Sequence, residues 1–252
     1  MINISLKDKI ALITGASRGI GEAVALALAE CGAHCILVSR KLEGLNTVAA
    51  KIKEKGGNAT AIACNMSQLD QIEKLFQEVK TNFGKLDILI NNAAANPYFG
   101  EMLTAEEWAW DKTFAVNLKG PFFTIQQAVP LMTAAGSGAI VNVSSVNGVR
   151  PAAFQGIYSV TKAALISMTQ AYAKELASKK IRVNALLPGF TRTDFSRAIM
   201  DNQEIFKFIV QQIPMGREAN PSEMVGAVLY LVSDLSSYTT GTCITCDGGM
   251  LA

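Results

Sequence analysis

A chain of 252 residues, 50% hydrophobic and 17% charged, is long enough to bury a sizeable core and is expected to fold as one domain over residues 1–252. The formal net charge of +2, with no basic run, points away from a nucleic-acid partner and towards small-molecule chemistry. No span reaches the roughly 18 uninterrupted apolar residues of a membrane helix, because Glu30 and His34 break the longest candidate, between Ala23 and Val38.

The N-terminus, Met1 to Lys9, lacks a basic segment followed by an apolar core, and Met250-Leu251-Ala252 is no peroxisomal address, so the expected compartment is the cytoplasm. Lys9-Ile10-Ala11-Leu12-Ile13-Thr14 reads as a short strand. The turn Thr14-Gly15-Ala16-Ser17-Arg18-Gly19-Ile20-Gly21 follows, and the alanine-rich stretch from Glu22 to Cys31 reads as a helix. A strand, a glycine turn and a helix start in that order make an anion site. The free N–H groups of the first helical turn and the helix dipole point at whatever sits there, and glycine lets the backbone approach a pyrophosphate closely.

The second apolar run, 34–39, opens with His34, the only histidine, which excludes any mechanism needing a histidine pair and is expected to be structural. It ends at Ser39-Arg40. An acidic residue there would accept a ribose 2′-hydroxyl and repel a 2′-phosphate, whereas Ser39 and Arg40 admit the phosphate, and Arg18 in the glycine turn is a second cation for the same group. The expected cofactor is therefore NADP(H), although either arginine alone reads equally well as a solvated surface charge.

Further strands are expected at 59–63, 86–90, 138–144, 181–186 and 241–246, with helical stretches between most of them, including long ones over Thr104–Ala134 and Gly156–Lys179. This alternation implies right-handed crossovers and a parallel sheet covered on both faces: an α/β, doubly wound Rossmann-type fold of about seven strands. Ligands bind such sheets beyond the carboxyl ends of the strands, and Gly15, Asn91, Ser145 and Pro188 each follow a strand. On the second long helix, Tyr158 and Lys162 share a face. A phenol of pKa about 10 becomes a usable acid or base when an ammonium stabilises its phenolate, though an isolated pair of this kind reads equally as a half-exposed helix surface. The strand-like run Cys243-Ile244-Thr245-Cys246 turns its two thiols to opposite sides, and no second pair of ligands exists. No metal is expected, and free thiols in a reducing compartment are.

Thr14-Gly15-x-x-x-Gly19-Ile20-Gly21, Asn91-Asn92-Ala93-Ala94, Asn117, Ser145, Tyr158-x-x-x-Lys162 and Pro188-Gly189, in this order and spacing and on through Asp247-Gly248-Gly249, resemble the short-chain dehydrogenase/reductase family over essentially the whole chain. The stretch from Asn92 to Gly100 is most similar to the NADPH-dependent carbonyl and retinal reductases of that family. Ala94 departs from the family's glycine and is expected to shift the loop beside the cofactor. Asn65 stands where an aspartate usually lies near the adenine.

The resemblance implies that Tyr158 gives a proton to a carbonyl oxygen as hydride arrives from the nicotinamide. Ser145, preferred over Ser144 by its spacing of thirteen residues to Tyr158, holds that oxygen. Lys162 lowers the Tyr158 pKa and bonds the nicotinamide ribose, and Asn117 holds a water that connects Lys162 to solvent. Taken singly, Asn117 is equally a helix-interior amide making a backbone bond. The implied cofactor contacts are Gly15, Ser17, Arg18, Gly19, Ile20 and Gly21 in the first turn, Ser39, Arg40, Asn65 and Met66 around the adenosine, Asn92, Ala93 and Ala94, and finally Tyr158, Lys162, Pro188, Gly189, Phe190, Thr191 and Thr193 around the nicotinamide.

Residues 190–215 follow the site as a substrate lid would, or pack on the core as an ordinary amphipathic helix. Phe190, Phe195, Ile199, Met200, Ile205, Phe206, Phe208 and Met215 in this segment, with Tyr98 and Phe99, favour a small-molecule carbonyl substrate with an apolar body. A 3-oxoacyl-thioester reductase is the alternative, with Arg192, Arg197, Lys207 and Arg217 as a docking surface for an acidic carrier; a nucleotide-sensing module is the non-enzymatic one. An enoyl reductase is disfavoured because that branch separates its Tyr and Lys by six residues instead of three. A homotetramer is expected from the resemblance, through the two long helices and the last strand.

Overall fold

Apolar residues fill consecutive positions of the central runs, so the inner strands are buried on both of their faces while the two edge strands are only partly covered. In β1 (Ile10–Thr14), Ala11 and Ile13 enter one core while Leu12 enters the other, and β2 (His34–Ser39) divides Cys35 and Leu37 from Ile36 and Val38 in the same way. The computed structural model describes residues 4–252, with the backbone alone at Ala198 and Ile199. Among them β3 (Asn58–Ala63), β4 (Ile88–Asn91), β5 (Gly138–Val143), β6 (Ile181–Pro188) and β7 (Cys243–Cys246) complete one parallel sheet of order β3-β2-β1-β4-β5-β6-β7. Each expected strand is present, with ends displaced by two residues at most.

The face receiving Ala11 and Ile13 is covered by α1 (Gly19–Glu30), α2 (Leu42–Glu54) and α9 (Val225–Val232). The opposite face carries α3 (Leu69–Phe83), α5 (Gly120–Ala134) and α6 (Gly156–Leu176). Full burial of each Leu or Ile in these layers is worth about 1.5–3 kcal/mol. The sheet is wound outward from β1 in both directions, so the loops after β1 and β4 lie side by side at a topological switch point. His34 sits at the amino end of β2, away from those loops. It bonds Thr60 Oγ1 at 2.8 Å and meets the Phe83 ring edge-on, and burial lowers its pKa, all consistent with a structural role.

The expected single helix over Thr104–Ala134 is corrected. Thr104 closes a short 3-10 turn, α4 (Glu107–Phe114) begins three residues later, and a π-turn at Ala115–Lys119 separates α4 from α5. Pro121 explains the break, because it has no N–H to return to the carbonyl of Asn117 and the α-ladder is interrupted there. The helix expected over Gly156–Lys179 is α6, finished by a 3-10 turn at Ala177–Lys179. After β6 the chain forms a 3-10 turn at Asp194–Ser196, then α7 (Arg197–Met200) and α8 (Gln203–Gln211). A bridge between Thr191 and Ala219 ties this excursion back to the chain that leads into α9.

Candidate active site

The glycine turn opens the site. Gly15 and Gly19 lie at φ of 67° and 62°, the left-handed region that other residues adopt only under strain. At Gly21 a Cβ would collide with the Gly15 carbonyl and crowd Asn92 Nδ2. Arg18, the N-cap of α1, makes no side-chain cap bond, so N–H groups of the first helical turn face outward beside a backbone cradle with no side chains in it. That combination fits a pyrophosphate.

Thr14 Oγ1 accepts N–H bonds from Asn92 and Ala93 at 2.9 and 3.0 Å, and Asn92 Nδ2 donates to the carbonyls of Thr14 and Gly15 at 2.9 and 3.2 Å. The Asn92-Ala93-Ala94 loop is thereby clamped to the glycine turn. Ala94 is not among the described non-glycine residues with positive φ, which are Asp8, Phe154 and Lys180, so alanine occupies the family's glycine position without backbone strain. Ser17 packs against Gly44 at the start of α2, which begins two residues after the exposed Arg40. Arg18 is engaged by Asp194 at 3.0 Å, a pairing that joins the glycine turn to the segment after β6. Asn65 accepts from the backbone and hydroxyl of Ser67 at 3.2 and 2.9 Å, and Met66 is buried, its side chain in the core and its carbonyl against Gly120.

On the other side, Ser145 stands beside Tyr158 and draws the Tyr158 pKa downward. Ser144, in contrast, donates to the Lys162 carbonyl at 2.8 Å. Lys162 Nζ lies 5.4 Å from the Tyr158 ring centroid and donates to the Val143 carbonyl at 2.7 Å. Both side chains are buried, and burial dominates their ionisation. Tyr158 is pushed up to about 12, with Ser145 pulling the other way, and Lys162 is pushed down to about 7. The expected lowering of the Tyr158 pKa by Lys162 therefore gives way to desolvation that favours the neutral form of each.

Asn117, in the π-turn, accepts from Ala95 N–H at 2.7 Å and donates to the Ala95 carbonyl at 2.9 Å and to Thr161 Oγ1 at 3.1 Å. Its side chain thus makes backbone bonds that reach across to the loop after β4. Behind the site a buried chain of amides and hydroxyls, Thr124 to Asn91 to Asn142 to Thr169, ties α5, β4, β5 and α6 together at 2.8–2.9 Å per link.

Gly189 donates to the Cys246 carbonyl at 2.9 Å, and a Cβ there would press on Asp247. Phe190 and Arg192 pair through their backbones with Ala219, and Thr191 Oγ1 donates to Gly189 O at 3.1 Å. Thr193 sits against Gly19 and forms a capping box with Ser196. The predicted residues of the first turn, the Asn92 loop and the Pro188–Thr193 segment are therefore neighbours. Phe195 stands with its ring 5.6 Å from that of Tyr158, and Phe190 meets Phe206 at 6.0 Å. Ile199 lies outside the described side chains. Sequence reasoning did not single out Thr14 as the clamp, although its place at the strand end was a signal. It also passed over Asn96, Asn147 and Gln155, which gather beside Ser145 and Tyr158 and carry no periodic pattern.

Residues 15–251 match the family model described as Enoyl-(Acyl carrier protein) reductase. The chain is 36% identical over 244 residues to Dehydrogenase/reductase SDR family member 4 of Homo sapiens, covering 97% of this chain and 88% of that protein. It is 40% identical over 243 residues to the 3-oxoacyl-(acyl-carrier-protein) reductase FabG of Staphylococcus aureus, covering 96% and 98%. Among solved structures, a gluconate 5-dehydrogenase from Burkholderia cenocepacia in complex with NADP and tartrate superposes with a TM-score of 0.94 at 30% identity, covering 99% of this chain and 97% of the other.

Proposed function

The chain belongs to the short-chain dehydrogenase/reductase family, and on that premise we propose that it reduces apolar ketones or aldehydes, with Tyr158, Ser145, Lys162 and Asn117 as the catalytic set. It is an oxidoreductase that uses NADP(H), the cofactor held by several structurally similar proteins. The observation that carries the reading is the buried pair Tyr158 and Lys162, with Lys162 Nζ 5.4 Å from the Tyr158 ring centroid, flanked by a glycine cradle fit for a dinucleotide.

Bound there, the nicotinamide supplies or accepts the hydride. Tyr158, protonated at neutral pH because burial raises its pKa, donates to the carbonyl oxygen, and Ser145 holds that oxygen where negative charge develops. Asn117 fixes the Ala95 backbone beside the reacting centre, and Phe195 with the rest of residues 190–215 acts as a lid excluding water. The wide Tyr–Lys spacing expected of an enoyl reductase is absent, so the description of the family model is not carried to this chain's substrate. A panel of ketones, aldehydes, retinal and 3-oxoacyl thioesters, read by NADPH absorbance, tests the proposal; no turnover of any carbonyl compound would reject it.

The 3-oxoacyl-thioester reading is favoured by the 40% identity to FabG. Against it, Arg192 is paired with Glu218 and Arg217 with Glu223, so two of the four cations available to an acidic carrier are already engaged. An acetoacetyl-carrier protein preferred over an aromatic ketone by more than about a hundredfold in kcat/KM, near 2.7 kcal/mol, would reverse the ranking.

NADPH should be preferred to NADH, and Ser39→Asp with Arg40→Ala should shift that preference towards NADH, because the pair of changes adds an acid and removes a cation where the 2′-phosphate is expected. Ratios of kcat/KM for the two cofactors check this, and a wild-type enzyme at least as efficient with NADH would contradict it. A homotetramer is part of the same proposal. An open apolar groove of about 810 Å³ between α4–α5 and α6, lined by Phe114, Leu118, Phe122, Ala164 and Met168, is the surface a second copy would cover. Light scattering should give four times the monomer mass. The five free cysteines support a reducing, cytoplasmic setting.

A further inference from the structure

The two cations expected at a 2′-phosphate are in different states. Arg40 is exposed and has no ion pair among the described residues, whereas Arg18 is already engaged. Its Nη1 donates to Asp194 Oδ2 at 3.0 Å, across 176 residues of chain, and neither side chain has another bond among the described residues.

The Asp194 carboxylate has no local duty that would account for it. Asp194 opens the turn Asp194–Ser196, but the backbone there is capped by the reciprocal Thr193–Ser196 box, and Thr193 already rests against Gly19. A turn of three residues is too short to build a helix dipole that would draw an acid. As a contribution to stability the pair is weak, because its side chains are 66% and 51% accessible. For an incoming anion it matters more, since a carboxylate on Arg18 cancels the charge that a phosphate would meet.

We propose that Asp194 is a specificity-determining residue for the cofactor that acts through Arg18: it holds the guanidinium in the free enzyme, the 2′-phosphate of NADPH displaces it, and NADH leaves the pair intact. The exchange is favourable because a phosphate monoester carries about −1.5 to −2 charges near neutral pH and three acceptor oxygens, more than a carboxylate offers. Asp194 therefore holds the preference for NADPH below what Arg18 and Arg40 would give alone. The exchange takes place one residue from Phe195, whose ring lies 5.6 Å from that of Tyr158, so cofactor choice is registered next to the reacting centre. The inference rests on the NADP(H) reading with Arg18 at the 2′-phosphate, and deepens it.

The test is the ratio of Kd for NADH to Kd for NADPH, from fluorescence titration at low salt without substrate. It is measured in the wild type, Asp194→Asn, Asp194→Glu, Arg18→Leu and the double variant Arg18→Leu/Asp194→Asn. Asp194→Asn should raise the ratio about threefold, the scale of one exposed ion pair, and the rise should shrink at high salt, where the pair is screened. Asp194→Glu, which restores the carboxylate, should return the ratio towards the wild-type value. In the Arg18→Leu background Asp194→Asn should change nothing, because the guanidinium is gone. Both residues are exposed, so each variant should fold, and Tm checks this. A ratio unmoved by Asp194→Asn would overturn the role given to Asp194. So would an equal rise in the Arg18→Leu background, which would mean plain repulsion of the phosphate. If Arg18→Leu itself left the ratio at the wild-type value, Arg18 would not hold the 2′-phosphate, and the reading on which the inference stands would fail instead.

Discussion

Tyr158→Phe is expected to lower turnover by about two to four orders of magnitude, the usual worth of a positioned acid or base, while NADPH binding survives. The phenylalanine ring keeps the contact with Phe195 and fills the same buried volume, so packing is conserved and the lost group is the hydroxyl alone. Burial that pushes the pKa up to about 12 keeps the hydroxyl protonated throughout the physiological range, which suits the reducing direction. Alcohol oxidation, which must first remove that proton, should show activity still rising on the alkaline side. Single-turnover rates with NADPH, alongside cofactor fluorescence titration, separate chemistry from binding; a variant retaining more than about a tenth of wild-type turnover would exclude Tyr158 as the proton donor.

Lys162→Met should abolish most activity and yet make the cofactor-free protein more stable at low and neutral pH. Burial depresses the Lys162 pKa from 10.5 to about 7, so the folded state pays for the charge. Below pH 7 both states carry the proton and the cost is full; between pH 7 and 10.5 the unfolded chain binds more protons, so stability rises with pH; above 10.5 the cost is gone. At about 1.4 kcal/mol per pH unit the penalty is on the order of 4–5 kcal/mol. Loss of the bond to the Val143 carbonyl at 2.7 Å returns about 1–3 kcal/mol. The net gain at pH 6 is roughly 2–3 kcal/mol, about 5–10 °C in Tm for a domain of this size. Melting curves from pH 6 to 10 check this, and the advantage of the variant must shrink as pH rises. A constant or growing difference would mean that Lys162 is not buried as a charge.

Much of the site was legible because its signals are local. The glycine turn announces itself through residues that alone tolerate φ near 65°, and Tyr158 and Lys162 through a helical spacing. The strands were legible because runs such as Ile36-Leu37-Val38 are apolar on both faces. What escaped the sequence depends on the meeting of distant segments. Asn96 and Gln155 are 59 residues apart, Arg18 and Asp194 are 176 apart, and neither pair leaves a periodic trace. The ionisation of Tyr158 and Lys162 also escaped, since the spacing of the pair is visible in the chain but the depth at which it is buried is not. The interruption of the helix after Phe114 was hidden because an apolar pattern continues through it, and only Pro121 marked the missing bond.

An α-helix advances about 100° per residue, so the extra residue accommodated by the π-turn at Ala115–Lys119 leaves α4 and α5 rotated in phase by about that angle. This offset lets one continuous rod aim Asn117 at Ala95 while Ile125 and Ala128 still face the core. Chain length here is consequently more constrained than composition. Substitutions on the outer face of α4 leave the phase untouched, whereas deletion of a single residue between Ala115 and Lys119 would rewind the turn into ordinary helix. Every side chain on one flank of the deletion would then be rotated away from its partners, so that Asn117 and the α5 core residues could no longer both be in place.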